Sequence, residues 1–434
     1  MLARPAHHFR APAASARRAV RALHVSSSAL LQTVTSTSSA SAPPLPPPSV
    51  TGTGPSTKST ITRPRPLRAF NPRPLPPGYP TLPTTFGRNQ MLSVPDATRA
   101  LLEEIVSSFN APIRYAFAYG SGVFDQAGYT QGGKENGKRP MIDFVFAVTH
   151  SAHWHSINMA QNPSHYPLYA QWIGADFVTG VQAIAPGMWF NTLVPWTSKD
   201  GNQVTIKYGV TTVDNLCADL LYWRSLYLAG RMHKPIRIIA DDARVRLTQQ
   251  VNLTSAVRTS LATLPEKFDE RLLFERIAGL SYAGDLRMSL PAESRGKVSS
   301  IVSAQAPQFR ELYHRLAVGL PGVHWSGSTI SQDVSPAARS ALVRKLPGTL
   351  RARVESHYTR KITREGDEGA FYTRIGSDST LGDVVQREIA NIVRAASTMQ
   401  SFKGLVSAGP VKSTQYVAAK VGKWWRGSAK PNSS

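Results

Sequence analysis

Two apolar runs, Tyr115 to Tyr119 and Met141 to Val148, flank a small-residue turn and a polar, glycine-rich insert. The first run ends on Gly120-Ser121-Gly122, and the second carries one carboxylate, Asp143. Small residues leave backbone N–H groups open to a phosphate, and an acid on the following strand can hold a divalent cation. The feature therefore reads as a nucleotide-handling site built on a sheet. Taken alone it also admits a plainer reading, because Gly-Ser pairs are common in turns and a buried Asp can simply cap or pair.

The surroundings extend this into a mixed α/β unit. Leu101, Leu102, Ile105, Val106 and Phe109 have helical spacing, with Asp96 after Pro95 in an N-cap position. Asn191 to Trp196 and the alternating run Gln203 to Val210 predict two strands, and the Asp200-Gly201 step between them predicts a hairpin. Asp214 is placed to cap a helix through Leu216, Leu220 and Leu228 that Gly230 closes, and Ile236 to Ile239 predicts another strand. Further on, Leu272 to Ile277, Phe309 to Leu316, Ala337 to Leu346 and Leu381 to Ala395 predict helices between Gly, Pro and Ser breaks.

A hydrophobic fraction of 41% over 434 residues suffices for two globular domains and excludes a chain disordered throughout. The net charge of +23 is unevenly spread: residues 1 to 95 hold 11 Lys and Arg and no acid, leaving 23 − 11, or +12, for the rest. Residues 1 to 32 are rich in Arg, Ala and Ser, as in a mitochondrial transit peptide, and arginines interrupt every candidate secretory core. Residues 33 to 85 are Ser, Thr and Pro tracts and are expected to form a disordered linker.

No stretch is long and apolar enough for a transmembrane helix, and the lone Cys217 excludes an internal disulfide and a cysteine-based zinc cluster. Cys217 is expected to be a buried thiol. No acid follows Glu388, whereas Arg394, Lys403, Lys412, Lys420, Lys423, Arg426 and Lys430 do, interleaved near the end with Tyr416, Val417, Trp424 and Trp425. Such a tail suits the headgroup region of an anionic membrane.

A longer set of strings is more specific. Tyr119-Gly120-Ser121-Gly122-Val123-Phe124, Ile142 to Val148, Trp154-His155-Ser156-Ile157-Asn158, Asn162 to Tyr166, Ile206 to Val210, Leu228-Ala229-Gly230-Arg231 and Gly279 to Asp285 occur in this order. Together they resemble the mitochondrial phosphatidate cytidylyltransferase family, whose members are also called mitochondrial translocator assembly and maintenance proteins. The resemblance covers roughly residues 95 to 425. It implies an α+β chain: a nucleotidyltransferase-type mixed sheet domain over residues 86 to 240 and a mainly helical, winged-helix-like domain over 241 to 395. A basic amphipathic tail over 396 to 434 follows. The implied reaction joins CTP to phosphatidic acid, giving CDP-diacylglycerol and pyrophosphate for cardiolipin and phosphatidylglycerol synthesis, on the matrix face of the inner mitochondrial membrane. Two positions depart from polymerase-beta-type nucleotidyltransferases: Val145 stands where a second acid usually follows, and Lys207 occupies a strand position that often carries a third.

On this reading Asp143 binds Mg²⁺, Ser121 and Lys207 act with it at the reacting phosphates, and Tyr119, Gly120 and Gly122 complete a nucleotide-binding turn. His155 and Asn158 are expected to bind nucleotide or to lock their loop, as is His165, and Arg231 to meet the lipid phosphate or the end of a helix. One carboxylate rarely suffices for Mg²⁺, so Asp219 is the expected second metal ligand. Asp285 is a further candidate for substrate or interdomain contact. His153, His155 and His165 match no familiar zinc spacing. The partners expected are CTP, phosphatidic acid and an anionic membrane through residues 411 to 434; no nucleic acid is expected, and a homodimer stays open. An RNA-directed nucleotidyltransferase and a non-catalytic scaffold supporting mitochondrial protein import are the alternatives. The first is weakened because most of the surplus charge lies in the presequence and tail.

Overall fold

The computed structural model describes residues 83, 85–124, 140–285, 288, 296–360 and 368–428, with side chains up to residue 407. The predicted leader at residues 1 to 32, nearly all of the predicted linker and the side chains of the tail at 411 to 434 lie outside this set.

The first half is organised by a five-stranded mixed sheet. Helix α1 (Asp96–Ser107) leads into β1 (Tyr115–Tyr119) and β2 (Ile142–Val148), followed by α2 (Ser151–Gln161), α3 (Leu168–Ile173) and α4 (Ala175–Ala183). The hairpin β3 (Trp189–Thr197) and β4 (Gln203–Thr212), helix α5 (Val213–Tyr222) and β5 (Ile236–Ala240) complete it. The strand order is β3-β4-β2-β1-β5, with β2 parallel to β4 and the other pairs antiparallel. Phe144 to Val148 are all buried, which explains the unbroken apolar run: β2 sits in the middle of the sheet and has no solvent face along that stretch. The expected β3–β4 hairpin is present, with Gly201 at φ 78° and its N–H donating to the Ser198 carbonyl at 2.9 Å.

Three local expectations are corrected. Asp96 is the first helical residue of α1 and Pro95 its N-cap; the carboxylate instead pairs with Arg99 one turn on. Thr212, not Asp214, caps α5, its side chain accepting from the Asn215 N–H at 3.1 Å. Asp214 pairs with Arg244 at 2.6 Å. Helix α5 also stops well before Gly230, at Tyr222, where Trp223 takes a left-handed conformation with φ 53°.

The second half is mainly helical, with α6 (Ala243–Leu261), β6 (Lys267–Asp269), α7 (Glu270–Gly279), α8 (Lys297–Val318), β7 (Val323–Ser326) and β8 (Thr329–Gln332). Helices α9 (Pro336–Arg344), α10 (Gly348–Thr359), α11 (Glu368–Ser377) and α12 (Leu381–Ser428) follow. The short strands form an antiparallel sheet in the order β6-β8-β7. Asp242 and Asp269 cap α6 and α7 by accepting backbone N–H bonds. One hydrophobic core runs from β1 and β2 through α6 and α8 to α12, so the sheet and the helical part share an interior. Among the described residues no helix is long and apolar enough to cross a membrane.

Candidate active site

A cleft of about 310 Å³ opens where the end of β1, the start of β2 and the middle of β4 meet the chain before β5 and the helices α8 and α12. Gly120, at φ 87°, turns the backbone over Asp143: a β carbon there would lie 3.7 Å from Asp143 Oδ2. Its carbonyl accepts from the N–H groups of Val123 and Phe124 at 3.1 and 3.0 Å, which closes the turn. Gly122 has a different task. A β carbon at that position would sit 2.9 Å from the Met141 carbonyl oxygen, so its bareness lets the turn pack on β2.

Strand register sets the charges beneath the turn. Asp143 faces Tyr119 across the β1–β2 pair and Lys207 across the β2–β4 pair. Lys207 Nζ lies 3.2 Å from Asp143 Oδ1 and 4.9 Å from the centre of the Phe190 ring. Tyr119 borders the same group; burial first, then the Asp143 charge, raises its phenol above the ordinary value.

A second cationic stretch extends the cleft. Arg231 stacks on Tyr227, with 3.7 Å from guanidinium carbon to ring centre, and donates to the Tyr227 carbonyl. Lys234 donates to the Gly230 carbonyl at 2.6 Å and the Ser281 hydroxyl at 2.8 Å, and its Nζ is 4.9 Å from the Tyr282 ring centre. Burial, then the charges of Arg231 and Lys297, bring the Lys234 ammonium down to about 7. Gly230 permits this approach, since a β carbon there would meet Ser281 Cβ at 2.3 Å. The far wall combines Asp285 with apolar Ile301, Val393 and Ala396.

The structure thus brings together Tyr119, Gly120, Ser121, Asp143, Lys207, Arg231 and Asp285, and leaves other expected residues outside. Asp219 is 2% exposed, and its carboxylate is consumed by the loop after α5. Oδ1 accepts from Ser225 N, Ser225 Oγ and Leu226 N, and Oδ2 from Leu228 N and Ala229 N, all at 2.7 to 3.1 Å. That network organises the segment bearing Ser225, Leu226 and Tyr227, and the carboxylate does not line the cleft. His155 and Asn158 are fully buried elsewhere. His155 bonds Tyr166 Oη at 2.9 Å and Gln182 Oε1 at 2.8 Å, and burial lowers its pKa to about 4. Asn158 donates to the hydroxyls of Tyr166 and Tyr208, each at 2.9 Å, and His165 bonds Tyr208 at 2.7 Å. These residues lock α2 and α4 onto β4. Cys217 is buried, and burial raises its pKa.

Sequence reasoning missed Tyr227, Lys234 and Lys297 as cleft residues. Ser281 and Tyr282 lay inside a string already singled out, but Lys297 at the start of α8 carries no local signal. Among the described residues no group of three or more His, Cys, Asp or Glu stands together, so a caged metal has no donor set here. Asp143 alone beside the glycine turn fits a hard cation that brings most of its oxygen ligands with it, as Mg²⁺ on a triphosphate does.

Comparison with known proteins bears on the chemistry. A family model described as "Phosphatidate cytidylyltransferase, mitochondrial" matches residues 102–423. Proteins of that name from Danio rerio and Xenopus laevis are 39% and 38% identical, over 74% and 77% of this chain and 94% and 97% of their own lengths. One from Schizosaccharomyces pombe is 36% identical over 77% of this chain and 86% of its own.

Proposed function

The chain belongs to the mitochondrial phosphatidate cytidylyltransferase family, and from that premise we propose that its cleft transfers the cytidylyl group of CTP to phosphatidic acid. An oxygen of the lipid phosphate attacks the α-phosphorus of CTP, the bond from that phosphorus to the bridging oxygen breaks, and pyrophosphate leaves with CDP-diacylglycerol as the other product. Such a reaction needs in-line positioning and charge neutralisation more than a strong base.

The observation that carries the reading is the convergence of the Gly120 turn, Asp143 and the Lys207 ammonium, 3.2 Å from that carboxylate, with Arg231 in one cleft. The turn and the Ser121 hydroxyl orient phosphate oxygens, while Lys207 and Arg231 offset the charge of two anionic substrates held side by side. Asp143 would hold Mg²⁺, which when bound neutralises the triphosphate and stabilises the departing pyrophosphate. Lys207, paired with Asp143 in the absence of substrate, keeps that acid from standing as an uncompensated charge.

The protein works in mitochondria as a peripheral enzyme on the matrix face of the inner membrane, where CDP-diacylglycerol feeds cardiolipin and phosphatidylglycerol synthesis. The relatives' names and the acid-free leader support the compartment. Residues 411 to 434, basic and bearing Trp424 and Trp425, supply electrostatic attraction to anionic lipid. The test is direct: purified protein with labelled CTP, Mg²⁺ and phosphatidic acid vesicles should yield CDP-diacylglycerol and pyrophosphate in equal amounts. Incorporation into tRNA in place of lipid would overturn the proposal.

A further inference from the structure

Helix α3 inverts the arrangement normal for a surface helix. Its small residue Ala170 is fully buried, whereas Leu168, Trp172 and Ile173 are 69%, 86% and 60% exposed. Leu168 and Trp172 are four residues apart and Ile173 adjoins them, so the three share one side of the helix. The helix is anchored by a small core of its own, in which Tyr166, Ala170, Val178 and Trp189 pack together. Tyr169 meets Phe177 edge-on at 6.1 Å, and Gln171 donates to the Tyr166 carbonyl at 2.9 Å. Large apolar groups projected together from an anchored helix mark a contact surface.

Two further observations bear on what covers it. Residues 144 to 175 contain no Asp, Glu, Lys or Arg, so α3 brings no charge that an apolar phase would have to desolvate. The α4 helix that follows is coupled to the cleft. The buried Lys403 of α12 donates to the carbonyls of Gln182 and Ile184 at the end of α4, at 3.1 and 2.6 Å. Val393, Ala396 and Ser397 of the same α12 form part of the cleft wall. Around the Lys403 joint, Ile184, Phe402 and Leu405 are also exposed.

We propose that α3 is a membrane-inserting tip whose Leu168, Trp172 and Ile173 enter the headgroup and upper acyl region of the bilayer holding the lipid substrate. The inference rests on the proposed lipid acceptor: a diacyl substrate stays in its bilayer, so the cleft must be carried to the surface and held there. Trp beside aliphatic residues suits that depth. Because α3 is uncharged, its contribution persists when salt screens the cationic tail.

The test uses the full chain, with Trp172→Ala and a triple Leu168→Ser, Trp172→Ser, Ile173→Ser variant. Binding to phosphatidylcholine vesicles containing phosphatidic acid is measured without CTP at low and high salt. Turnover is measured with vesicular phosphatidic acid and with a short-chain, water-soluble one. The expected result for the triple variant is binding weaker by about tenfold or more at both salt concentrations. KM for the vesicular lipid rises, turnover of the soluble lipid and the melting temperature stay unchanged, and Trp172→Phe retains most binding. Unchanged vesicle binding overturns the proposal, as does a wild-type dimer that the triple variant converts to monomers, which would make a second copy the occupant of α3. A wild-type chain that binds vesicles through α3 yet makes no CDP-diacylglycerol from either lipid would support the contact and overturn the proposed reaction instead.

Discussion

Asp143 on β2 and Lys207 on β4 are register partners in a parallel strand pair, and their side chains meet at 3.2 Å on the floor of the cleft. The carboxylate is therefore charge-compensated before substrate arrives. Lys207→Ala removes that compensation and the proposed phosphate contact. The expected result is a fall in kcat/KM for CTP of about 100-fold, the scale of losing one preorganised charge-stabilising donor, with partial recovery in Lys207→Arg. Steady-state kinetics at saturating lipid measure it.

Lys234 gives the cleft a pH dependence. Its ammonium is brought down to about 7 by burial and by Arg231 and Lys297, against about 10.4 for an unfolded lysine. Between those values the unfolded chain holds a proton that the folded chain has lost. Stability therefore rises with pH across that window and is lowest below about 7, where the folded cleft must carry the charge. Lys234→Met should raise the melting temperature relative to wild type most at pH 6, with the difference shrinking by pH 9. Anionic substrates favour the charged lysine, so CTP should also bind wild type more weakly as pH rises above 7; titration calorimetry across that range reads it.

Asp219→Ala leaves the Ser225, Leu226, Leu228 and Ala229 N–H groups without their acceptor. The expected cost is about 3 kcal/mol or more, seen as a lower melting temperature and denaturation midpoint. Residual folded protein should keep the wild-type dependence of CTP binding on Mg²⁺, even if the loosened Ser225–Tyr227 segment weakens CTP binding itself. A selective loss of metal affinity with intact stability would restore Asp219 as a ligand.

The strands, the hairpin and the Gly120-to-Asp143 unit were legible because they are local: alternation, small turn residues and a lone acid in an apolar run appear within a few positions. The end of α5 was not, since a non-glycine residue, Trp223, takes the left-handed conformation that sequence rules assign to Gly230. The same hidden turn folds five donors onto Asp219, making a structural acid look like a metal ligand. His155 and Asn158 carry chemistry-bearing side chains, but Tyr166 just downstream and Gln182 and Tyr208 from later elements consume them. Lys234 and Lys297 became cleft residues only through the meeting of the β5 approach with α8, which no sequence period records.

Deleting residues 411 to 434 should weaken binding to cardiolipin or phosphatidic acid vesicles, with the loss greatest at low salt, while CTP affinity is kept. Cosedimentation at two salt concentrations measures it, and unchanged binding would remove the tail as an electrostatic anchor.

The central claim is that Asp143, under the Gly120 turn, serves cytidylyl transfer to a lipid. Asp143→Asn keeps the side-chain shape and removes the charge. Its rate of CDP-diacylglycerol formation from CTP, Mg²⁺ and phosphatidic acid should fall at least about 100-fold, with an unchanged melting profile. Turnover near the wild-type rate would contradict the account.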